Sequence, residues 1–489
     1  MKLDNVRAAL PALEQLAQAA VDKTAVPGLA IAVVYQDMVV YLKGFGVRAA
    51  GTHEPVDPDT IFQLASMSKP FASTVVAGLV GDGVLSWDSR ITDLDPSFQL
   101  YDPWVTREVT VRDFFAHRSG LPGTAGDDLE SVGYDRNEIL RRLRYLKPVT
   151  SFRSHYAYSN FGLTAGASAA ARTIGKSWED VAAARLYHPL GMMSTSSRFA
   201  DYAAATNRAL LHVRVDGTWV PKFTRQPDAQ SPAGGVSSTA RDVAQWMRLQ
   251  LAGGTFNGQQ LIAAEALAET HVPQMVRGTN PVTGGPGFYG LGWDVDYDDQ
   301  GRVFWHHAGA FSLGARTEVS LLPAEDLGIV VLANAFPTGV PDGIAASFYD
   351  LVLHGHLTRD WIAFWNTLYD QFAASFSAGA AAYAQPPSPV APALPSAAYV
   401  GTYTSDYVGT IEISDQDGAL TLQLGPAHKT FPIRHWDRDM FLYEPDAELP
   451  GVVSGVTFGI GAAHHAQQVV LENFNNDEQG TFTRVRAKP

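Results

Sequence analysis

Two sets of apolar, strand-length runs lie far apart in this chain, and they limit its possible folds more than any other feature. The first is Leu29-Ala-Ile-Ala-Val-Val34, a turn at Tyr35-Gln-Asp37-Met38, and a return through Val39-Val-Tyr-Leu-Lys-Gly-Phe45. This pattern predicts a β-hairpin with at least one strand buried on both faces. The second set is Arg302-Val-Phe-Trp-His306, Ala315-Arg-Thr-Glu-Val-Ser-Leu-Leu322 and Leu327-Gly-Ile-Val-Val-Leu-Ala333. Between them, residues 66 to 280 read as helices and loops. One sheet built from both chain regions, with the helical stretch packed over it, accommodates the whole pattern. The expected class is α+β, an antiparallel sheet flanked by helices and carrying a helical insertion.

At 489 residues the chain is too long for one hydrophobic core, so a further domain is expected. Two helices are read near 341–356 and 359–377, and then Ala384 to Pro395 forms a stiff Pro/Ala linker. Past it the pattern changes to eight short alternating strands, which argue for a small antiparallel β-barrel. The expected organisation is a domain over 1–383, a linker over 384–396 and a barrel over 397–489.

Composition excludes several kinds of chemistry. There is no cysteine, so disulfides, Cys-zinc sites and thiol catalysis are absent. With 50 acidic against 36 basic residues the formal charge is −14, and no Lys/Arg block offers a nucleic-acid footprint. No run of eighteen apolar residues suggests a membrane span, and Met1 to Thr24 reads as an amphipathic helix rather than a signal peptide. A cytoplasmic location is the default expectation. No His/Asp/Glu spacing suggests a metal, and no cofactor is expected.

The chemistry is concentrated in three places. In Phe62-Gln-Leu-Ala-Ser66-Met-Ser-Lys69-Pro70, a serine and a lysine three positions apart are read at the first turn of a helix, facing the same way. A serine hydroxyl needs an adjacent base, and a desolvated lysine can be that base. The motif alone is weak, since Ser-x-x-Lys arises by chance on the order of once in a chain this long. The second place is Tyr158-Ser-Asn160, at a loop-to-helix start. Tyr158 is a candidate proton shuttle, and the Asn160 amide suits a substrate amide; a satisfied core tyrosine and a helix N-cap are the plain structural alternatives. The third is His306-His307-Ala-Gly309-Ala310, where a glycine permits close backbone approach and the Ala310 N–H can join that of Ser66 around an oxyanion.

Taken together, Ser66-x-x-Lys69, Tyr158-x-Asn160 and His307-x-Gly309 resemble, in order and separation, the class C β-lactamase-like serine hydrolases. That superfamily includes penicillin-binding carboxypeptidases, D-amino-acid peptidases, amidases and esterases. Pro27-Gly28, Gly120-Leu-Pro122, Pro189-Leu-Gly191-Met192, Ala233-Gly-Gly-Val-Ser-Ser-Thr239 and Tyr289-Gly-Leu-Gly-Trp293 agree with it. The resemblance spans about 25 to 340, and the C-terminal region resembles the lipocalin-like domain of some peptidase members.

The resemblance implies an acyl-enzyme mechanism. Ser66 attacks a carbonyl, Lys69 and Tyr158 handle the proton, and the Ser66 and Ala310 N–H groups hold the oxyanion, while Asn160, His307 and Gly309 shape the substrate site. β-Lactamases proper carry a lysine where His307 stands, and a histidine is at best partly charged at neutral pH. The expected substrate is therefore a small peptide amide, including one with D-residues, rather than a β-lactam. A carboxylesterase, a peptide cyclase or acyltransferase, and a non-catalytic penicillin-binding or scaffold protein are the alternatives. Association into a homo-oligomer stays open. A rival nucleophile, Ser312 in Ala310-Phe-Ser312-Leu-Gly314, is disfavoured because the strands and helices around it come in the wrong order for an α/β-hydrolase elbow.

Overall fold

The computed structural model describes residues 1–445 and 452–486. It divides into two compact units, one of Met1–Ser97, Arg107–Gly120 and Thr150–Gln371, the other of Phe98–Thr106, Leu121–Val149 and Phe372–Pro489.

In the first unit the two apolar sets do combine. Helix α1 (Leu3–Thr24) precedes β1 (Gly28–Tyr35) and β2 (Met38–Gly46). Helix α2 (Ser68–Gly81), α3 (Asn160–Arg172) and α4 (Ala240–Leu251) belong to the helical stretch. Strands resume with β3 (Met275–Thr279), β4 (Pro286–Tyr289), β5 (Asp294–Tyr297), β6 (Val303–Phe311), β7 (Ala315–Leu322) and β8 (Leu327–Ala333). Helices α5 (Val340–His354) and α6 (Trp361–Ala381), the latter belonging to this unit as far as Gln371, close the series. The sheet order is β2-β1-β8-β7-β6-β5-β4-β3, with β1 inserted antiparallel beside β8. Every residue of β1 and β8 is buried, as an apolar run without alternation requires, and β7 between β8 and β6 is buried throughout although it carries Arg316, Thr317, Glu318 and Ser320.

Successive strand residues point to opposite faces, which sorts the core. Leu29, Ile31 and Val33 of β1 join Val6, Leu13 and Ala17 of α1 and Ile344 and Phe348 of α5 in one cluster. On the other face α4 packs against β1 and β8. Helix α2 is buried nearly all round, as an apolar helix without a polar stripe must be. Its Phe71 ring stacks on Trp246 of α4 with centroids 4.2 Å apart, and the Trp246 indole N–H donates to Thr74 at 3.0 Å. Burying one such large side chain contributes about 1.5–3 kcal/mol. The helix that follows the candidate serine is thus a rigid, central element.

The second unit holds a nine-stranded antiparallel sheet that is nearly a closed barrel. Its first strand, Gly401–Ser405, pairs with both Gly409–Gln416 and Thr481–Arg484. The sheet has nine strands where eight were expected; Lys429–Pro432 and Arg434–Asp437 are divided at Ile433, whose N–H donates to Leu420 O. Residues 121–149 pack on this sheet. The Tyr407 hydroxyl donates to Asp128 at 2.8 Å and accepts from the Gly126 N–H at 3.0 Å. No described helix is long and apolar enough to cross a membrane.

One buried ion pair ties β7 to α5. The Arg316 Nε donates to Asp342 at 2.9 Å, both side chains are about 5% exposed, and the guanidinium lies 4.4 Å from the Tyr369 ring centroid. Removing one partner leaves a buried charge uncompensated. Asp342→Ala is expected to lower unfolding free energy by about 3–5 kcal/mol in chemical denaturation; a change under about 1 kcal/mol would contradict this assignment.

Candidate active site

The candidate serine is not inside the helix. Ala65–Met67 forms a short 3₁₀ turn, and α2 starts at Ser68. Ala65 is buried with φ of +49°, a left-handed conformation that costs a non-glycine residue about 1–3 kcal/mol. The surroundings hold it there. Ala65 packs on Phe311, Leu313 and Ala315. Leu64 N–H donates to Val236 O at 2.8 Å, and Val236 N–H donates to the Ser68 hydroxyl at 2.9 Å. The Thr317 hydroxyl donates to Leu64 O at 2.8 Å.

Lys69, in the first turn of α2, is completely buried. Its ammonium donates to Ser66 Oγ at 3.1 Å, to Asn160 Oδ1 at 2.7 Å and to Ala233 O at 3.0 Å. It also lies 4.5 Å from the Tyr158 ring centroid. The spacing expected to bring Ser66 and Lys69 together does so, with a turn and a helix start in place of a single helix.

Asn160 is the first residue of α3, and Ser159 caps that helix by accepting from Gly162 N–H at 3.1 Å. The cap is therefore the serine, and the Asn160 side chain turns to Lys69. Gly309 lies against the serine turn: a Cβ there would come within 2.0 Å of Leu64 O and 2.4 Å of Thr317 Oγ1. The absence of a side chain at Gly309 lets β6 approach the turn bearing Ser66. Ala310 is the next residue on that strand, opposite Arg316 in the register.

The two adjacent histidines differ completely. His306 points to the α5 face, where its Nε2–H meets Asp296 at 2.9 Å. Burial disfavours its charge, but Asp296 and Glu318 overcome this and push its pKa up to about 10. His307, 3% exposed, faces the serine side. Its Nδ1–H donates to Ala308 O at 2.7 Å, and its Nε2 accepts from the Tyr289 hydroxyl at 3.1 Å. Burial pushes its pKa down to about 4; Asp294 opposes this and Lys69 adds to it. His307 is thus neutral at pH 7, not partly charged, and its ring stands 6.4 Å from that of Tyr158.

Sequence reasoning passed over His117. Its buried ring lies 4.6 Å from Tyr158 and 4.9 Å from Tyr289. Ala233 was noted only within a glycine-rich stretch, and its carbonyl is a direct partner of Lys69. On the opposite face of the sheet a cavity of about 790 Å³ is lined by His306, Ala308, Arg316, Glu318 and the aromatic rings of α5 and α6. It does not include Ser66 or Lys69. Among the described residues no cluster suited to a metal is present.

The family model described as Beta-lactamase matches residues 13–354, and a domain of unknown function, DUF3471, matches 385–488. The chain belongs to the Beta-lactamase family. It is 26% identical over 405 residues to an unguisins hydrolase of Aspergillus campestris, covering 79% of this chain and 73% of that protein. It is 29% identical over 336 residues to penicillin-binding protein 4 of Amycolatopsis lactamdurans, covering 66% and 83%. The octameric penicillin-binding protein homologue from Pyrococcus abyssi has the same fold, with a TM-score of 0.62 at 20% identity over 97% of this chain and 100% of that one. These findings support a β-lactamase-like hydrolase.

Two outcomes test the site. Gly309→Ala should slow fluorophosphonate labelling by about 10²-fold or more while the chain stays folded, since displacing a reacting group by 1 Å has that effect; unchanged labelling would refute the close packing. The folded-state pKa of His307 lies below the free value of 6.5, so its contribution to stability is complete above pH 6.5 and is lost as pH falls toward 4. ¹⁵N imidazole spectra should show the neutral Nδ1–H form down to about pH 5, and a titration midpoint near 6.5 would contradict it.

Proposed function

We propose that this chain is a serine hydrolase that forms an acyl-enzyme on Ser66 and cleaves an amide bond in small peptides. The observation that carries the reading is the environment of the Lys69 nitrogen. An ammonium has three donors and no acceptor. When neutral, Lys69 still has two N–H bonds for Asn160 Oδ1 and Ala233 O, and these fixed acceptors aim the remaining lone pair at the Ser66 hydroxyl. That is the arrangement a general base needs.

The steps follow from it. Lys69 takes the Ser66 proton as Oγ bonds to the substrate carbonyl carbon. The Ser66 and Ala310 N–H groups receive the oxyanion; one such donor contributes roughly 3 kcal/mol in other hydrolases. Collapse breaks the bond to the leaving amine, which takes the proton from Lys69 by way of the Tyr158 phenol. Water then attacks the acyl-serine and regenerates the hydroxyl. Asn160 orients Lys69 through Oδ1, and its amide nitrogen is a donor of the kind a substrate carbonyl accepts.

The neutral state of His307 supports peptides or esters over β-lactams, because it supplies no cation for the carboxylate of a penicillin. The relative named as an unguisins hydrolase supports hydrolysis rather than passive binding. An esterase reading uses the same residues and differs only in the leaving group.

Ser66→Ala and Lys69→Met should each lower kcat for a p-nitrophenyl ester by at least about 10³-fold. A Ser66→Ala protein that keeps its activity would remove the assignment. In a panel of an ester, an L-peptide, a D-peptide and benzylpenicillin, a peptide should give the highest kcat/KM and the penicillin the lowest. Preference for long-chain esters without peptide cleavage would replace the peptidase reading with the esterase one.

A further inference from the structure

Tyr158 lies on irregular backbone, just ahead of α3, so neither helix nor sheet hydrogen bonds fix it. One residue holds the backbone on both sides of it. The Ala157 N–H donates to the His117 carbonyl at 2.8 Å, and the Ser159 N–H donates to His117 Nδ1 at 3.1 Å. His117 therefore grips the chain immediately before and immediately after Tyr158, and its ring packs on the Tyr158 ring at 4.6 Å.

We propose that His117 is a positioning residue for Tyr158, a two-point clamp that holds the phenol against Lys69. The proposal rests on reading Tyr158 as the proton relay of Ser66, and it assigns to His117 no contact with substrate.

The supports of the clamp run deeper. Asp113, whose side chain is fully buried, accepts from Arg118 Nε at 2.7 Å and from Arg153 Nε at 2.9 Å. Arg153 N–H donates to Arg118 O at 2.8 Å. Segments 113–118 and 153–159 are thus joined at Asp113 and Arg118, and again at His117. The clamp itself is strained, with His117 φ at +54°.

The side chain has three tasks: to tolerate a left-handed backbone, to accept from a backbone N–H, and to present a flat ring to Tyr158. Asparagine meets the first two, and phenylalanine only the last. The accepting role needs an unprotonated Nδ1, which places the ring proton on Nε2, a buried nitrogen without a hydrogen-bond partner among the described residues. Burial, with the nearby Lys69 charge, keeps His117 neutral well below its ordinary range.

The experiment compares His117→Phe, His117→Asn and Tyr158→Phe by kcat, KM and thermal midpoint on an amino-acid p-nitroanilide, an amide whose leaving amine must take up the relayed proton. His117→Phe should lower kcat by about 10²-fold with KM within about twofold, and His117→Asn should recover all but about threefold of the loss. A His117→Phe protein that melts lower yet keeps kcat would overturn the proposal, because only stability was then at stake. Equal losses in the Asn and Phe variants would overturn it too, since the acceptor would be irrelevant. Should His117→Phe not fold, His117→Ala in the wild-type and Tyr158→Phe backgrounds decides. A loss of kcat confined to the wild-type background supports the clamp, and the same loss in both refutes it. Tyr158→Phe alone separates the two layers: if it keeps wild-type kcat, the relay reading fails, and the clamp falls with it.

Discussion

A buried lysine ammonium is the constraint from which much of this structure follows. Taking such a charge out of water costs several kcal/mol unless its donors are met. Lys69 is met on three sides, by Ser66, Asn160 and the Ala233 carbonyl, and each partner comes from a different part of the chain. The 3₁₀ turn, the start of α3 and the short helix at Ser231–Gly234 are therefore brought to one point by a single group. Strand β6 reaches the same point only because Gly309 has no side chain. The chemistry proposed for Ser66 uses that arrangement without further movement, as preorganised sites do.

The sheet separates two electrostatic environments. His306 and His307 are neighbours in sequence, yet one is held charged by carboxylates and the other held neutral by burial, because alternate strand residues face opposite ways. The charged face carries Arg316–Asp342, Arg277–Asp296 and His306–Asp296, and the neutral face carries His117, Tyr158, Tyr289 and His307 around Lys69. On the serine side Lys69 therefore stands against a neutral, largely aromatic wall.

Much of this was legible in the sequence, for reasons that particular residues make plain. The apolar runs at 29–34 and 327–333 have no polar alternation, so they had to be central strands, and they pair with each other. Ser66 and Lys69 are three apart, and local geometry makes that spacing a contact whether the backbone is helix or turn. Elsewhere the information is not local. Nothing in Ser159-Asn160 says which residue caps the helix until Lys69 is known to need Asn160. The charge of His307 depends on burial beneath Tyr289, which lies on another strand. His117 was missed because its importance lies in a left-handed backbone and two long-range hydrogen bonds, neither of which has a sequence signature.

The central claim is that Ser66 becomes covalently acylated during turnover. The most direct measurement is mass spectrometry of the enzyme quenched during hydrolysis of a slow ester, followed by peptide mapping. The account predicts an adduct of the acyl mass on the peptide containing Ser66, formed in the wild type and absent from Lys69→Met on the same timescale. An adduct on another residue, such as Ser312, or steady turnover with no adduct on a stopped enzyme that shows a burst, would contradict it.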